Sequence, residues 1–293
     1  MRILMIAPTS FFGDYGGHIR ILEETLALQE LGHEVLIVTY YKGNDVPGLT
    51  IKRTWPLPYR AEYEVGSSRH KIAFDIYLAG AALFWWLRWR PDVIHGHMHE
   101  GALIGGVLSW LSLGRTPLVF DFQGSLTAEM VDHGFLDPDR WIYRAMFRLE
   151  RFICRRLPKA ILTSSVRSGR MLADKFEVAE EQIVPLPDCV DTSRFDPERF
   201  AEAERLALKG RLGIPAERPV VAYLGLLADY QGIPDLLRAA AYLKEWGEDV
   251  HFLIMGYPRV AQYRAEAERL GVAERVTLPG RVKYDEAPFY LGV

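Results

Sequence analysis

The sequence predicts an α/β protein built from two doubly wound parallel-sheet domains. Three observations carry this. Short apolar, β-branched runs alternate with segments whose apolar residues recur at helical spacing. The first such run is followed by a glycine-rich turn and then a helix, the arrangement by which open parallel sheets approach a ligand. The alternation restarts after Pro219, and 293 residues suit about two domains of roughly 150.

Residues 3–6 form the first strand, and Gly13, Gly16 and Gly17 make the turn after it. Ile19, Leu22 and Leu26 then recur at helical spacing, Gly32 ends that helix, and 35–39 is a β-branched strand. A helix over 72–88 precedes Pro91 and a strand at 93–95. Helix 102–111 leads to strand 118–121, and 141–157 is a long amphipathic helix. Strand 160–164, helix 166–175 and strand 183–186 complete the first series. The stretch 188–218 is mixed in character and holds the junction, so the domains are expected over 1–190 and 191–293. The second series runs strand 220–224, helix 233–246, strand 251–255, helix 259–270 and strand 276–278. Three strands make a small sheet. The second domain is therefore expected to be incomplete, with 285–293 poorly anchored.

Composition narrows the class. Hydrophobic residues at 49% and charged residues at 25% exclude a disordered chain, and a net charge of −3 offers no basic excess for nucleic acid. Cys154 and Cys189 are too few for a disulfide framework, which suits a reducing compartment. The longest apolar run, 77–87, is well short of the roughly 20 residues of a membrane span, and a cytoplasmic location is expected.

Several residues could carry chemistry. Glycines at 13, 16 and 17 let backbone approach a ligand at a helix N-terminus, although a plain turn needs the same residues. The turn is not the dinucleotide fingerprint, which disfavours a dehydrogenase. His95, His97 and His99 alternate and would share one face if extended, as a metal site requires, but Gly96 favours a loop there. Hydrogen-bonding substrate contacts are the preferred reading, and no metal is expected. The polar stretch Asp121-Phe122-Gln123-Gly124-Ser125 succeeds the next strand, with Ser125 able to cap the element after it. Arg140, Arg144, Arg148, Arg151 and Arg155 line one side of helix 141–157. Ile142, Ala145, Leu149, Phe152 and Ile153 are expected to form the opposite, buried side. The arginines read as a solvated face or as a contact for anionic lipid. Trp85, Trp86, Arg88, Trp89 and Arg90 suit a membrane interface or packing on a sheet equally.

Taken in order, these motifs resemble family-4-type glycosyltransferases of the two-domain GT-B fold, over almost the whole chain. The pieces are Gly16-Gly17-His18, Gly32-His33-Glu34-Val35, Pro91-Asp92-Val93-Ile94-His95 and Leu186-Pro187-Asp188-Cys189-Val190-Asp191 with Phe195 and Pro197. In the second half they are Tyr223-Leu224-Gly225, Gln231-Gly232, Leu253-Ile254-Met255-Gly256 and the run from Arg275 to Gly280. The resemblance implies an N-terminal acceptor domain and a C-terminal nucleotide-sugar domain facing across a cleft. It implies glycosyl transfer with retention, serving polysaccharide or glycolipid synthesis. The nucleotide sugar would be a substrate, with no cofactor. His97 and Gln123 become candidate catalytic residues, and Gly16, Gly17, Gly225, Gln231 and Gly256 candidate substrate-binding residues. Partners would be the donor and a glycan or lipid acceptor, with an anionic membrane surface left open by the arginines and peripheral attachment at the inner face with it.

The departures also matter. Leu226 stands where an Arg is usual and Gln231 where a Lys is usual, so two cations for the leaving diphosphate are replaced by neutral groups. Gln123 stands near the usual position of a His, and Asp188-Cys189 replaces an Asn-Gly. The family's acidic donor-sugar motif should lie beyond Val293, so the chain alone is expected to lack part of its donor site. The alternatives are a noncatalytic relative that binds a sugar nucleotide or glycan, and a metal-dependent hydrolase using His95 and His97.

Overall fold

The structure is a computed structural model that describes residues 1–13, 16–56, 71–132 and 134–293. Asp14 and Tyr15 of the glycine turn, and His70 and His133, lie outside the described residues. Two compact units result: one holds Met1–Gly13 and Gly17–Cys189, the other Val190–Val293.

In chain order the first unit contains β1 (Arg2–Ala7), α1 (Gly16–Glu30), β2 (Glu34–Thr39), β3 (Thr50–Arg53) and α2 (Lys71–Trp89). Next come β4 (Val93–His97), α3 (Met98–Leu111), β5 (Leu118–Phe122), α4 (Leu126–Asp132), α5 (Trp141–Arg156), β6 (Ala160–Thr163), α6 (Val166–Phe176) and β7 (Ile183–Pro185). Its seven-stranded sheet has the order β3-β2-β1-β4-β5-β6-β7, parallel throughout. β1 and β2 are almost wholly apolar because both of their faces are covered. The chain steps from β1 to β2 and β3 on one side, then returns to β4 on the other. That reversal falls between β1 and β4, and the carboxyl ends of strands at such a switch point are where open α/β sheets take ligands.

The second unit contains α7 (Glu202–Arg211), β8 (Val220–Leu226), α8 (Ile233–Glu245), β9 (His251–Tyr257), α9 (Val260–Arg269), β10 (Val276–Gly280) and α10 (Ala287–Leu291). Its parallel sheet has the order β10-β9-β8. The α/β class, with two Rossmann-like parallel sheets as in the GT-B fold, is as the sequence predicts.

Four sequence expectations need correction. First, β4 runs through Gly96 to His97 rather than stopping at His95. A Cβ on Gly96 would lie 2.7 Å from the Gly101 carbonyl oxygen, so the glycine lets α3 press against the strand and does not break it. Second, His99 does not share a face with His95 and His97. The chain turns at Met98, whose φ is 55°, and His99 enters α3 to pack edge-on against Phe120 and Phe122. Third, α5 turns Glu150, Ile153 and Cys154 inward and leaves Ile142, Leu149 and Phe152 exposed. The cause is Glu150: its carboxylate accepts from the Leu126 and Thr127 N–H groups at 2.8 and 3.1 Å, capping α4, and lies 3.2 Å from His99 Nε2. Fourth, 285–293 is anchored: Asp285 pairs with Arg194 at 2.9 Å and Phe289 packs on Phe200 at 5.0 Å. Ser125 caps α4 as expected, accepting from the Ala128 N–H at 3.2 Å.

Burial disfavours the charge on Glu150, but the His99 and Thr127 contacts outweigh it and hold the carboxyl below its usual range. Glu150→Ala should therefore cost about 3 kcal/mol in urea unfolding, because it strands His99 and the α4 N–H groups. Glu150→Gln, which keeps one acceptor, should cost less.

Candidate functional site

The site in the first unit grows from one arginine. α1 begins at Gly16, so Arg20 and Glu24 fall one turn apart on the same helix face. Arg20 Nε donates to Asp121 Oδ1 at 2.9 Å. Its Nη2 makes charge contacts with the same oxygen at 2.8 Å and with Glu24 Oε1 at 3.0 Å. Its Nη1 donates to Asp188 Oδ1 at 2.6 Å and to the Leu186 carbonyl at 3.1 Å, so the chain after β7 is tied to the same group. Asp121 is the register partner of His97 across β4 and β5. Its second oxygen accepts from His97 Nδ1 at 3.1 Å and from Gln123 Nε2 at 2.9 Å. A carboxylate only accepts, so His97 carries its proton on Nδ1.

Asp121 is fully buried. Burial alone would raise its pKa, but His97 and Arg20 hold it well below the usual carboxylate range. Burial likewise opposes the charge on Arg20, yet Asp121, Glu24 and Asp188 keep its pKa raised. Glu24 differs: burial pushes it up to about 7, with Asp121 adding repulsion, against the pull of His97 and Arg20. His95, stacked on His97 at 4.4 Å, is pushed down to about 3 by burial and is neutral.

Gln123 is the part of this network that reaches outward. Because its amide nitrogen is committed to Asp121, its Oε1 is left to accept. A Cβ on Gly17 would lie 3.1 Å from that oxygen, so glycine keeps the approach open, and the space around Gly16 is open as well. His18 braces the preceding loop, with Nε2 2.5 Å from Thr9 Oγ1 and Nδ1 accepting from the Gly13 N–H at 2.8 Å. The sequence-predicted His97 thus meets Gln123 through Asp121. It is itself fully buried, with Nε2 lacking a hydrogen-bond partner.

Three of these groups could hold a cation: ligand atoms of Glu24, His95 and His97 lie within 4.8 Å of one another. Arg20 already places a fixed positive charge on Glu24, which opposes a metal ion there.

In the second unit, Gly225 and Gly256 are register partners at the carboxyl ends of β8 and β9. Gly256 has φ 148°, and a Cβ there would lie 1.8 Å from the Gly225 carbonyl oxygen, so no side chain fits. Tyr223 Oη donates to the Leu226 carbonyl at 2.9 Å and fixes the turn. Gln231 is exposed, and Gly232, with φ 80°, opens α8. The cations nearby lie on the adjacent strand ends: Arg259 is 3.8 Å from Asp229, and the Arg281 guanidinium sits 5.3 Å over the Tyr257 ring.

Residues 16–194 match the model of Glycosyltransferase Family 4, and 204–292 match that of Glycosyl transferases group 1. The chain belongs to glycosyltransferase family 4. It is 31% identical over 205 residues to 2-deoxystreptamine glucosyltransferase of Streptomyces kanamyceticus, covering 69% of this chain and 51% of that one. With 2-deoxystreptamine N-acetyl-D-glucosaminyltransferase of Streptomyces fradiae it shares 29% over 304 residues, covering 96% and 68%. With D-inositol 3-phosphate glycosyltransferase of Segniliparus rotundus it shares 24% over 288 residues, covering 91% and 60%. The chain thus spans about half to two thirds of the length of these relatives. Sucrose-phosphate synthase of Thermosynechococcus elongatus has the same fold, with a TM-score of 0.75 at 15% identity, covering 99% of this chain and 73% of that one.

Within this family-4 chain, sequence reasoning missed Arg20 and Glu24. The available signal was an Arg–Glu pair at i,i+4 one turn into the helix that succeeds the glycine turn. Glu24 generates a pH test. Its raised pKa means that the folded state favours the neutral carboxyl. The stability it contributes is present below about pH 4.5, and is lost as pH rises through about 7. Glu24→Gln should therefore gain stability over the parent protein as pH rises from 4.5 to 8, by about 1–3 kcal/mol. Urea unfolding across that range measures it, and a pH-independent difference would contradict the assignment.

Proposed function

We propose that this protein transfers a sugar from a nucleotide-activated donor to a hydroxyl of a cyclitol acceptor, with retention at the anomeric carbon. The observation that carries the reading is Gln123, whose amide nitrogen is bound to buried Asp121 and whose oxygen lies beside the glycine start of α1. A hydroxyl or ammonium group of the acceptor would donate to that oxygen, near the first N–H groups of α1. The names of the relatives support the acceptor class: 2-deoxystreptamine and D-inositol 3-phosphate are both polar six-membered carbocycles.

The donor belongs to the second unit in this reading. Gly225 and Gly256 leave backbone bare for the nucleotide, and the α8 N-terminus with Gln231 faces the diphosphate. Charge builds on that diphosphate as the sugar bond breaks, so donors aimed at it lower the barrier. Leu226 and Gln231 provide no cation, and Arg281 takes that role. The reaction needs no metal or cofactor, and the protein acts in the cytoplasm without nucleic acid.

Radiolabelled nucleotide hexoses incubated with 2-deoxystreptamine or myo-inositol should give a labelled glycoside of the donor's anomeric configuration, with release of nucleoside diphosphate. Gln123→Leu should lower kcat/KM for the acceptor about tenfold while nucleotide binding is unchanged, the loss of one hydrogen bond. Arg281→Ala should weaken nucleoside diphosphate binding by about tenfold in calorimetry, the range of one charge-assisted contact. The neutral residues at 226 and 231 favour one second reading, a noncatalytic binder of sugar nucleotides. Binding of the nucleotide sugar without turnover on any of these acceptors would select it.

A further inference from the structure

We propose that the outer face of the helical layer α2–α3–α5 docks on the surface of an anionic lipid bilayer. α3 packs between α2 and α5 on one side of the seven-stranded sheet. Each helix has an inner side that meets the core: Phe74, Leu78 and Ala82 of α2, Leu108 of α3, Ile153 and Cys154 of α5. Each also has an outer side that is apolar where a soluble surface would be charged. On α2, Phe84 and Leu87 are 58% and 61% exposed; on α3, Trp110 and Leu111 are 53% and 61% exposed. Leu149 and Phe152 of α5 continue the strip, and Trp110 meets Phe152 edge-on at 5.9 Å, so the apolar surface is unbroken between α3 and α5. Isolated exposed apolar residues are ordinary, whereas a set that runs unbroken from α3 to α5, with the exposed apolar side of α2 packed alongside α3, marks a contact surface.

Charge decides the occupant. Among the described residues of these three helices, no Asp or Glu is exposed. The exposed charges are arginines: Arg88 on α2 and Arg144, Arg148, Arg155 and Arg156 on α5, with Arg115 just beyond α3. Arg151 and Arg155 are engaged by Glu177, so they are not the free part of the arginine stripe. Arg144 and Arg148, one turn apart, make no ion pair among the described residues and stand beside the exposed Trp141. Apolar side chains reaching the acyl boundary, with guanidinium groups at phosphate level, is the chemistry of an interfacial helix surface. A second copy of the chain is disfavoured. Two-fold pairing of this face would set its arginines against each other, with no exposed carboxylate on the three helices to meet Arg144 and Arg148. No helix of the described residues is long and apolar enough to cross a membrane, so the proposed contact lies along the surface.

The test is co-sedimentation of the full chain with vesicles of phosphatidylcholine alone and of phosphatidylcholine mixed with phosphatidylglycerol. The chain should bind the mixed vesicles, more weakly as salt rises, and bind the neutral ones far less. Arg144→Gln with Arg148→Gln should weaken binding about tenfold or more. Trp110→Ser with Leu111→Ser, which leaves every arginine in place, should weaken it independently. Both pairs are on the surface, and unchanged melting confirms the fold in each. Three results would each overturn the proposal. They are absence of binding to the mixed vesicles, binding that neither pair alters, and a dimer in solution that the Trp110/Leu111 pair dissolves.

Discussion

A guanidinium held against a carboxylate with almost no access to water is the constraint on which the first unit depends. Arg20 and Asp121 are 101 residues apart in the chain. Burying either alone would cost several kcal/mol, so each is tolerable only with the other in place. The pair also has further work. Arg20 ties the chain after β7 through Leu186 and Asp188, and Asp121 ties β4 through His97. The start of α1, two strand ends and the exit of the unit therefore meet at one charge. Gln123 inherits its orientation from that meeting point. One N–H of the amide is held by Asp121, and that bond turns the oxygen toward the start of α1.

The second unit solves a different problem with fewer charges. At Gly225 and Gly256 two strands approach so closely that a methyl group would enter a carbonyl oxygen. The strand ends therefore present bare backbone and the start of α8, a surface that suits a flat, negatively charged ligand through N–H groups. Cations stand to the side, on residues 259 and 281, and not in the turn itself. The first unit thus carries a charge-locked site and the second a backbone-built one, to which the proposed reaction would assign acceptor and donor respectively.

The strands with apolar runs were legible because burial on both faces leaves no other composition possible; β1, β2 and β9 are of this kind. β3 was not, since Thr50-Ile51-Lys52-Arg53 is a partly exposed edge strand with one apolar residue. Gly96 misled because a glycine in a strand usually marks a break, and only the close approach of α3 explains it. α5 misled for a related reason. Its wheel separates arginines from apolar residues, but the helix is rotated so that Glu150 can cap α4, and a buried glutamate is invisible to a hydrophobicity pattern. The candidate site was half legible. Gly17 and Gln123 are readable from a turn and a strand end, whereas the pairing of Arg20 with Asp121 is read only once the sheet has brought β5 beside α1.

The most direct test of this account is the acceptor kinetics of Asp121→Asn. The substitution keeps size and keeps an oxygen for Arg20, but it turns a donor toward Gln123, whose amide must then rotate and offer nitrogen in place of oxygen. The account predicts a fall of at least about tenfold in kcat/KM for the acceptor, with nucleotide-sugar affinity retained and a loss of stability short of unfolding, because Glu24 and Asp188 still pair with Arg20. A well-folded Asp121→Asn protein with the acceptor kinetics of the parent would show that the buried pair does not set the site.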